Sequence, residues 1–269
     1  MIKNITIGQY VPGDSFIHRL DPRVKIILSL LFIVDLFIIS NFTGYVVAAA
    51  FILFIIAVAK LSPKYIYKGL KPIFILLIIT ALLNMFMTKS GNVVFSWGFI
   101  KIYDEGIRIA VFMALRLIFL IAGTSILTLT TSPIELTDGI ERLLNPMKKI
   151  GVPAHELAMM MTIALRFIPT LMDETDKIMK AQMARGADFD TGNIIAKAKS
   201  LIPLLVPLFI SSFRRADELA MAMEARCYRG GEGRTRMKIL RLTFDDLIAI
   251  LSFILFVIIT FIIRSLRVI

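Results

Sequence analysis

Two strings in the second half of the chain carry the pattern with the most chemical content. Ala181-Gln182-Met183-Ala184-Arg185-Gly186 and Ala222-Met223-Glu224-Ala225-Arg226-Cys227 share the form Ala-x-x-Ala-Arg-small. Arginine stays charged at physiological pH, and its planar fork binds a carboxylate through two parallel hydrogen bonds. Alanine before it (Ala184, Ala225) and a small residue after it (Gly186, Cys227) leave room for a partner's surface to close around the guanidinium. The chemistry is recognition of an acidic partner, not bond breaking. The same spacing also fits a plain helix C-terminus, with a cation complementing the dipole and a small residue as the cap. Spacing alone leaves both readings open.

Catalytic groups are otherwise scarce. There is no Gly-x-x-x-x-Gly-Lys-Ser/Thr loop, so ATP is not bound in the P-loop manner. His18 and His155 are the only histidines, which excludes a histidine-rich metal site. His155-Glu156 opens a zinc-protease-like string, but Met159 stands where the second histidine belongs. Asp138-Gly139 shares its start with membrane phosphatidyltransferases but lacks their Ala-Arg and spaced aspartates. No cofactor is expected. Cys227 is the one cysteine, so no internal disulfide can form. A membrane enzyme has little to work with here.

The elements that hold the two strings must be mostly membrane-embedded. The chain has 269 residues, 57% of them hydrophobic, and a mean hydropathy of +0.80. One soluble core of this length cannot hide that much apolar surface. Charged residues make up only 19%, yet the net charge is +11. That balance points to a membrane surface or acidic protein partners. Nucleic acid is disfavoured, because the basic residues lie between apolar spans without interleaved aromatics. Residues 1–20 hold Gly, Pro, Asp and His before any long apolar run, unlike a secretory signal.

Five stretches approach the roughly 20 apolar residues of a spanning helix: 24–40, 43–59, a short 72–87, 107–130 and 244–263. The first two are joined so closely that a tight antiparallel hairpin is expected. Lys and Arg near a span resist translocation. Lys3, Arg19, Arg23 and Lys25 precede the first span, Lys60, Lys64, Lys68 and Lys71 follow the second, and residues 131–241 hold 17 of the 31 basic residues. This places the N-terminus, the 60–71 loop and the 131–241 segment in the cytoplasm and the C-terminus outside. Residues 93–103 form a small hairpin or an interfacial cap around Trp97.

The expected organisation is therefore an all-α integral membrane protein of about five transmembrane helices with an inserted cytoplasmic domain. Residues 1–132 form the N-terminal membrane domain, 133–242 the inserted domain and 243–269 the last transmembrane helix. The insert reads as one short amphipathic helix over 133–149 and two long kinked ones. Residues 154–185 repeat apolar positions at helical spacing through Leu157, Met161, Ala164, Ile168, Leu171 and Ile178, with Pro169 as a kink and Gly186 as the cap. Residues 194–226 bend at Pro203 and Pro207. Each long helix would measure about 50 Å. Ten of the 14 methionines lie in the insert. Flexible thioethers suit a surface that repacks against different partners, though ordinary helix packing uses them too.

Two charges fall inside spans. Asp35 lies ten residues beyond Lys25, and Arg116 lies nine residues into the fourth span from the opposite side, a similar depth of about 15 Å. Intramembrane charges are costly and usually paired, so an Asp35–Arg116 ion pair is expected, with separate partners such as Asn84 or a carbonyl as the alternative.

These strings occur in the company of others. Ser15-Phe16-Ile17-His18-Arg19-Leu20-Asp21-Pro22-Arg23-Val24-Lys25 resembles the opening signature of the transmembrane T component of energy-coupling factor (ECF) transporters. So do Leu129-Thr130-Thr131-Ser132-Pro133 with Glu135, Glu141-Arg142-Leu143-Leu144-Asn145-Pro146, Arg166-Phe167-Ile168-Pro169 and Pro203-Leu204-Leu205. The paired Ala-Arg-small endings are the most specific match, with Cys227 departing from the family's glycine. The resemblance runs from about Ser15 to Arg241. It implies a scaffold without enzymatic activity in the cell membrane, holding two ABC-type ATPase subunits and a membrane-embedded substrate-binding S component for vitamins or transition-metal ions. By this likeness Ala184, Arg185, Gly186, Ala225, Arg226 and Cys227 bind the ATPases, and the long helices transmit ATPase motion to the S component. A self-sufficient permease or channel with its own path is the rival reading; it would need polar residues clustered along several spans.

Overall fold

Prolines and small polar residues decide where the helices begin. In this computed structural model, which describes residues 10–97, 100–187, 189, 193–230 and 240–265, the single-turn α1 (Phe16–Arg19) leads into α2 (Pro22–Ile38). Asp21 caps α2 by accepting from the Arg23 N–H, and Pro22 takes the first helical position, where its missing donor costs nothing. Residues 39–41 turn the chain into α3 (Phe42–Ala59), which ends on Lys60 in the left-handed region at φ 53°. Then come α4 (Pro63–Leu70), a 3-10 turn (Lys71–Ile73) and α5 (Phe74–Met87). An antiparallel hairpin of β1 (Val93–Trp97) and β2 (Ile100–Tyr103) precedes α6 (Asp104–Thr130). After these follow α7 (Pro133–Leu144), a 3-10 turn (Asn145–Ile150), α8 (Ala154–Ala184), α9 (Ile194–Ser200), α10 (Ile202–Ala225) and α11 (Phe244–Ser265).

Several of these bounds depart from the sequence reading. The 60–71 loop is largely helical, so α4, the 3-10 turn and α5 follow without a break and Pro63–Met87 is a 25-residue helical run with its apolar stretch in α5, rather than a short span. The fourth span starts at Asp104, whose carboxylate and that of Glu105 complement the positive helix N-terminus. The 133–149 helix is shorter than expected, because Pro146 cannot donate and the chain tightens into the 3-10 turn. The 194–226 helix is two elements: Pro203 lacks an N–H and its ring crowds the carbonyl four residues back, and the helix breaks at Leu201. Pro169, by contrast, sits inside an unbroken α8.

The chain divides into two compact units, residues 8–139 with 239–269 and residues 140–238. The first is the membrane unit. Four of its helices are long and apolar enough to cross a bilayer: Phe42–Ala59, Pro63–Met87, Asp104–Thr130 and Phe244–Ser265. With 17 residues, α2 stands at the lower edge of spanning length. Its outer residues Ile27, Leu30, Leu31, Val34 and Phe37 are exposed, as lipid-facing residues must be. α6 packs against α2, α3, α4 and α5, and α11 against α2 and α3. The interior is built from Phe32, Leu36, Tyr45, Ala48, Ile52, Ala122, Ile126, Leu129, Phe253 and Phe256. Lipid tails are as apolar as leucine, so close packing and polar bonds hold such helices together rather than water exclusion. Small residues make the approach close: the Phe32 ring would lie 2.8 Å from any Cβ at Gly123. Phe51 and Phe256 stack with centroids 4.3 Å apart.

The second unit is organised by α8 and α10, which run antiparallel. Arg215 of α10 lies over Phe167 of α8, Ser211 and Arg215 bond to Glu174, and Gln182 donates to the Pro203 carbonyl. As the number rises along α8 it falls along α10.

Candidate functional site

The two Ala-Arg-small strings fold into the same object. At the end of α8, the Gly186 N–H donates to Met183 O and the Ala187 N–H to Gln182 O, each at 3.0 Å. At the end of α10, the Cys227 N–H donates to Glu224 O at 2.8 Å and the Tyr228 N–H to Met223 O at 3.0 Å. Both are Schellman ends, with the paired bonds that satisfy a helix's last carbonyls. Arg185 and Arg226 occupy the cap position with nearly the same backbone, φ −88° and ψ 4° against φ −91° and ψ 14°. The residue after each is left-handed, Gly186 at φ 90° and Cys227 at φ 52°. The two readings left open by spacing are thus compatible: the small residue is a cap, and the arginine before it is presented to solvent.

Both guanidiniums are exposed, and neither has a hydrogen-bond or ion-pair partner among the described residues. Ala184, Ala225, Gly186 and Cys227 are exposed beside them. A cation at a helix C-terminus meets favourable partial charge, and among the described residues no carboxylate of the chain pairs with either arginine. Because α8 and α10 are antiparallel, the two arginines sit at opposite ends of the pair. On α10 the apolar residues Leu205, Val206, Phe209, Ile210, Phe213 and Met221 are also exposed, and Phe209, Phe213, Arg214, Asp217 and Met221 line an open groove.

The opening signature has a different task. Its polar groups bond within the membrane unit. Val11 O can only accept, so His18 Nε2 donates to it at 3.0 Å, and Nδ1 takes the Ser15 hydroxyl at 2.7 Å. Lys25 Nζ donates to His18 O at 3.1 Å and to Thr130 O at 3.0 Å, tying the arm to the end of α6. The Asp21 N–H donates to Asp246 Oδ1 at 2.7 Å, while the Asp21 carboxylate holds Arg23. Asp246 also takes the Thr243 N–H at 2.7 Å, the third-residue half of a capping box at the start of α11. Asp246 was not among the expected site residues; an acid three residues after Thr243, ahead of an apolar run, was the available signal.

Asp35 and Arg116 do not pair, a correction to the expected ion pair. Asp35 is buried, and its Oδ1 accepts from Thr260 of α11 at 3.1 Å. Arg116 Nη2 donates to the carbonyl of Ile39 at 3.4 Å, and its guanidinium lies 5.1 Å from the Phe37 ring centroid. The last carbonyls of α2 are orphaned and partially negative, so the end of the helix, not its aspartate, receives the cation.

Residues 13–238 match the model of the family described as Cobalt transport protein, CbiQ. The chain is 73% identical over 250 residues, 93% of each sequence, to the Energy-coupling factor transporter transmembrane protein EcfT of Clostridium kluyveri. It is 62% identical over 251 residues to the protein of that name in Thermosediminibacter oceani, covering 93% and 94% of the two. It is 49% identical over 265 residues to that of Bacillus subtilis, covering 98% and 100%. Apolar helices of spanning length, a knotted opening signature and twin arginine-capped helix ends therefore sit in a chain that belongs to the family of transmembrane T components of energy-coupling factor transporters.

Proposed function

We propose that this transporter component is a scaffold that grips two cytoplasmic ABC-type ATPases by Arg185 and Arg226 and couples their cycle to a substrate-binding S component in the membrane. The observation that carries the reading is the identity of the two helix ends: two equal cationic ends on one chain fit two equal acidic grooves. ATP hydrolysis belongs to the ATPases, and the cargo, a vitamin or transition-metal ion, belongs to the S component. The exposed apolar face of α10 supports contact with that third subunit. The N-terminus and the arginine ends face the cytoplasm and the C-terminus the outside, as the distribution of Lys and Arg supports.

A permease with its own path has less support. Among the described residues, Thr80, Asn84, Thr124 and Thr128 each bond a carbonyl of their own helix, and Asp35 is engaged with Thr260. Donors spent on their own helices support helix packing more than a polar route across the bilayer. The decisive experiment is co-purification of the ATPases with the Arg185→Glu, Arg226→Glu double variant. Breaking one desolvated charged pair costs about 2–5 kcal/mol, so assembly should collapse. Wild-type assembly and uptake would overturn the proposal.

A further inference from the structure

The two arginine ends lie 41 residues apart in sequence, and the same offset relates Glu174 of α8 to Arg215 of α10. Each of these residues stands 11 positions before its motif arginine, close to three helical turns. Two antiparallel elements with matching ends are related by a local twofold. Only residues on that axis meet their own counterparts. Glu174 and Arg215 do meet: Arg215 Nη2 donates to Glu174 Oε2 at 2.9 Å. A strict repeat would place two like side chains there, and like charges would push the helices apart. This chain has opposite charges instead. Ser211 satisfies the other carboxylate oxygen, and the Arg215 guanidinium lies 5.8 Å from the Phe167 ring centroid. Among the described residues no other ion pair joins α8 to α10. The pair is partly shielded, at 32% and 25% side-chain exposure.

We propose that Glu174 and Arg215 are positioning residues, a clasp on the twofold that sets the crossing of α8 and α10 and so the placement of Arg185 relative to Arg226. The inference rests on the docking reading for its consequence in transport, and on geometry alone for the clasp. Each arginine lies about 16 Å from the pair along its helix. Helices packed in one class vary in crossing angle by about 15–20°. At that lever arm such a change displaces an arginine by roughly 4–6 Å, enough to part a carboxylate–guanidinium contact. A partly exposed ion pair contributes little stability by itself; its value here is in fixing an angle.

The test uses the 269-residue chain, whose one cysteine, Cys227, already sits at one end. Adding Met161→Cys, exposed on α8 and 13 positions before Glu174, places a second spin label at the same end of the pair as Cys227, where the separation follows the crossing angle directly. Pulsed electron paramagnetic resonance then reads the separation in the isolated T component. Glu174→Arg should shift or broaden the distance distribution, Glu174→Gln should do so less, and the swap Glu174→Arg, Arg215→Glu should restore it. In the assembled transporter, substrate moved per ATP should fall about threefold in Glu174→Arg and recover in the swap, with KM for ATP unchanged. A distribution indifferent to Glu174→Arg, or one the swap does not restore, overturns the clasp. A restored distance with a coupling ratio that never changed overturns its role in transport. If the clasp behaves as stated but the Arg185→Glu, Arg226→Glu variant keeps its ATPases, the docking reading fails and the clasp stands.

Discussion

Cys227 occupies, at the end of α10, the backbone position that Gly186 occupies at the end of α8. Both follow a motif arginine, both have positive φ, at 52° and 90°, and both donate their N–H to the carbonyl three residues back. Glycine adopts that conformation freely, whereas a residue with a Cβ loses about 1–2 kcal/mol there. Cys227→Gly is therefore expected to stabilise the protein by about 1 kcal/mol, and Gly186→Ala to destabilise it by a similar amount. No atom lies within 4 Å of a Cβ built at Gly186, so the cost is conformational alone. Thermal unfolding of the purified chain in detergent reads both, and equal midpoints would contradict the cap assignment.

Asp246 holds three donors, the N–H of Asp21 and the N–H and hydroxyl of Thr243. It is also buried, at 1% exposure. Truncation leaves the Asp21 N–H unsatisfied in an enclosed site and removes a cap. Asp246→Ala should cost about 3 kcal/mol, and Asp246→Asn less, because one amide oxygen still accepts. The same unfolding assay orders the three proteins.

Separate partners for Asp35 and Arg116 have a measurable signature. In a double-mutant cycle, Asp35→Asn with Arg116→Gln should be additive within about 0.5 kcal/mol. Asp35→Asn with Thr260→Val should show coupling of about 1 kcal/mol, because those side chains share a hydrogen bond. A large coupling in the first cycle would reinstate the ion pair.

The single, exposed cysteine reports sidedness. With the T component expressed alone, so that no ATPase covers the site, a membrane-impermeant maleimide should label Cys227 in inverted vesicles and leave right-side-out cells unlabelled. Labelling from outside would reverse the proposed orientation.

Helical periodicity and proline positions made α8 and the Schellman ends legible, because both depend on local chemistry: apolar spacing, an arginine, a small residue. What failed depends on rotation about a helix axis. Counting residues gives Asp35 and Arg116 a similar depth, but depth is not azimuth. Asp35 faces α11, and nothing in the sequence around it announces Thr260, 225 residues away. The break at Leu201 and the helical 60–71 segment failed for another reason. A proline permits either a bend or a break, and four lysines within twelve residues look like a loop until Ile66 is buried on one face of α4.

The bond between Asp21 and Asp246 sets an order on synthesis. The two residues are 225 positions apart, as are Asp35 and Thr260. At roughly 5–20 residues per second, the ribosome needs about ten seconds to most of a minute to cover that distance. Throughout that interval the first membrane helix has emerged without its last neighbour, Asp35 waits in the bilayer without its hydroxyl, and the Asp21 amide has no carboxylate. The bonds that anchor α11 therefore form last, and a chain that stalls before α11 leaves the Asp21 amide and the Asp35 carboxylate without the partners they have in the folded unit.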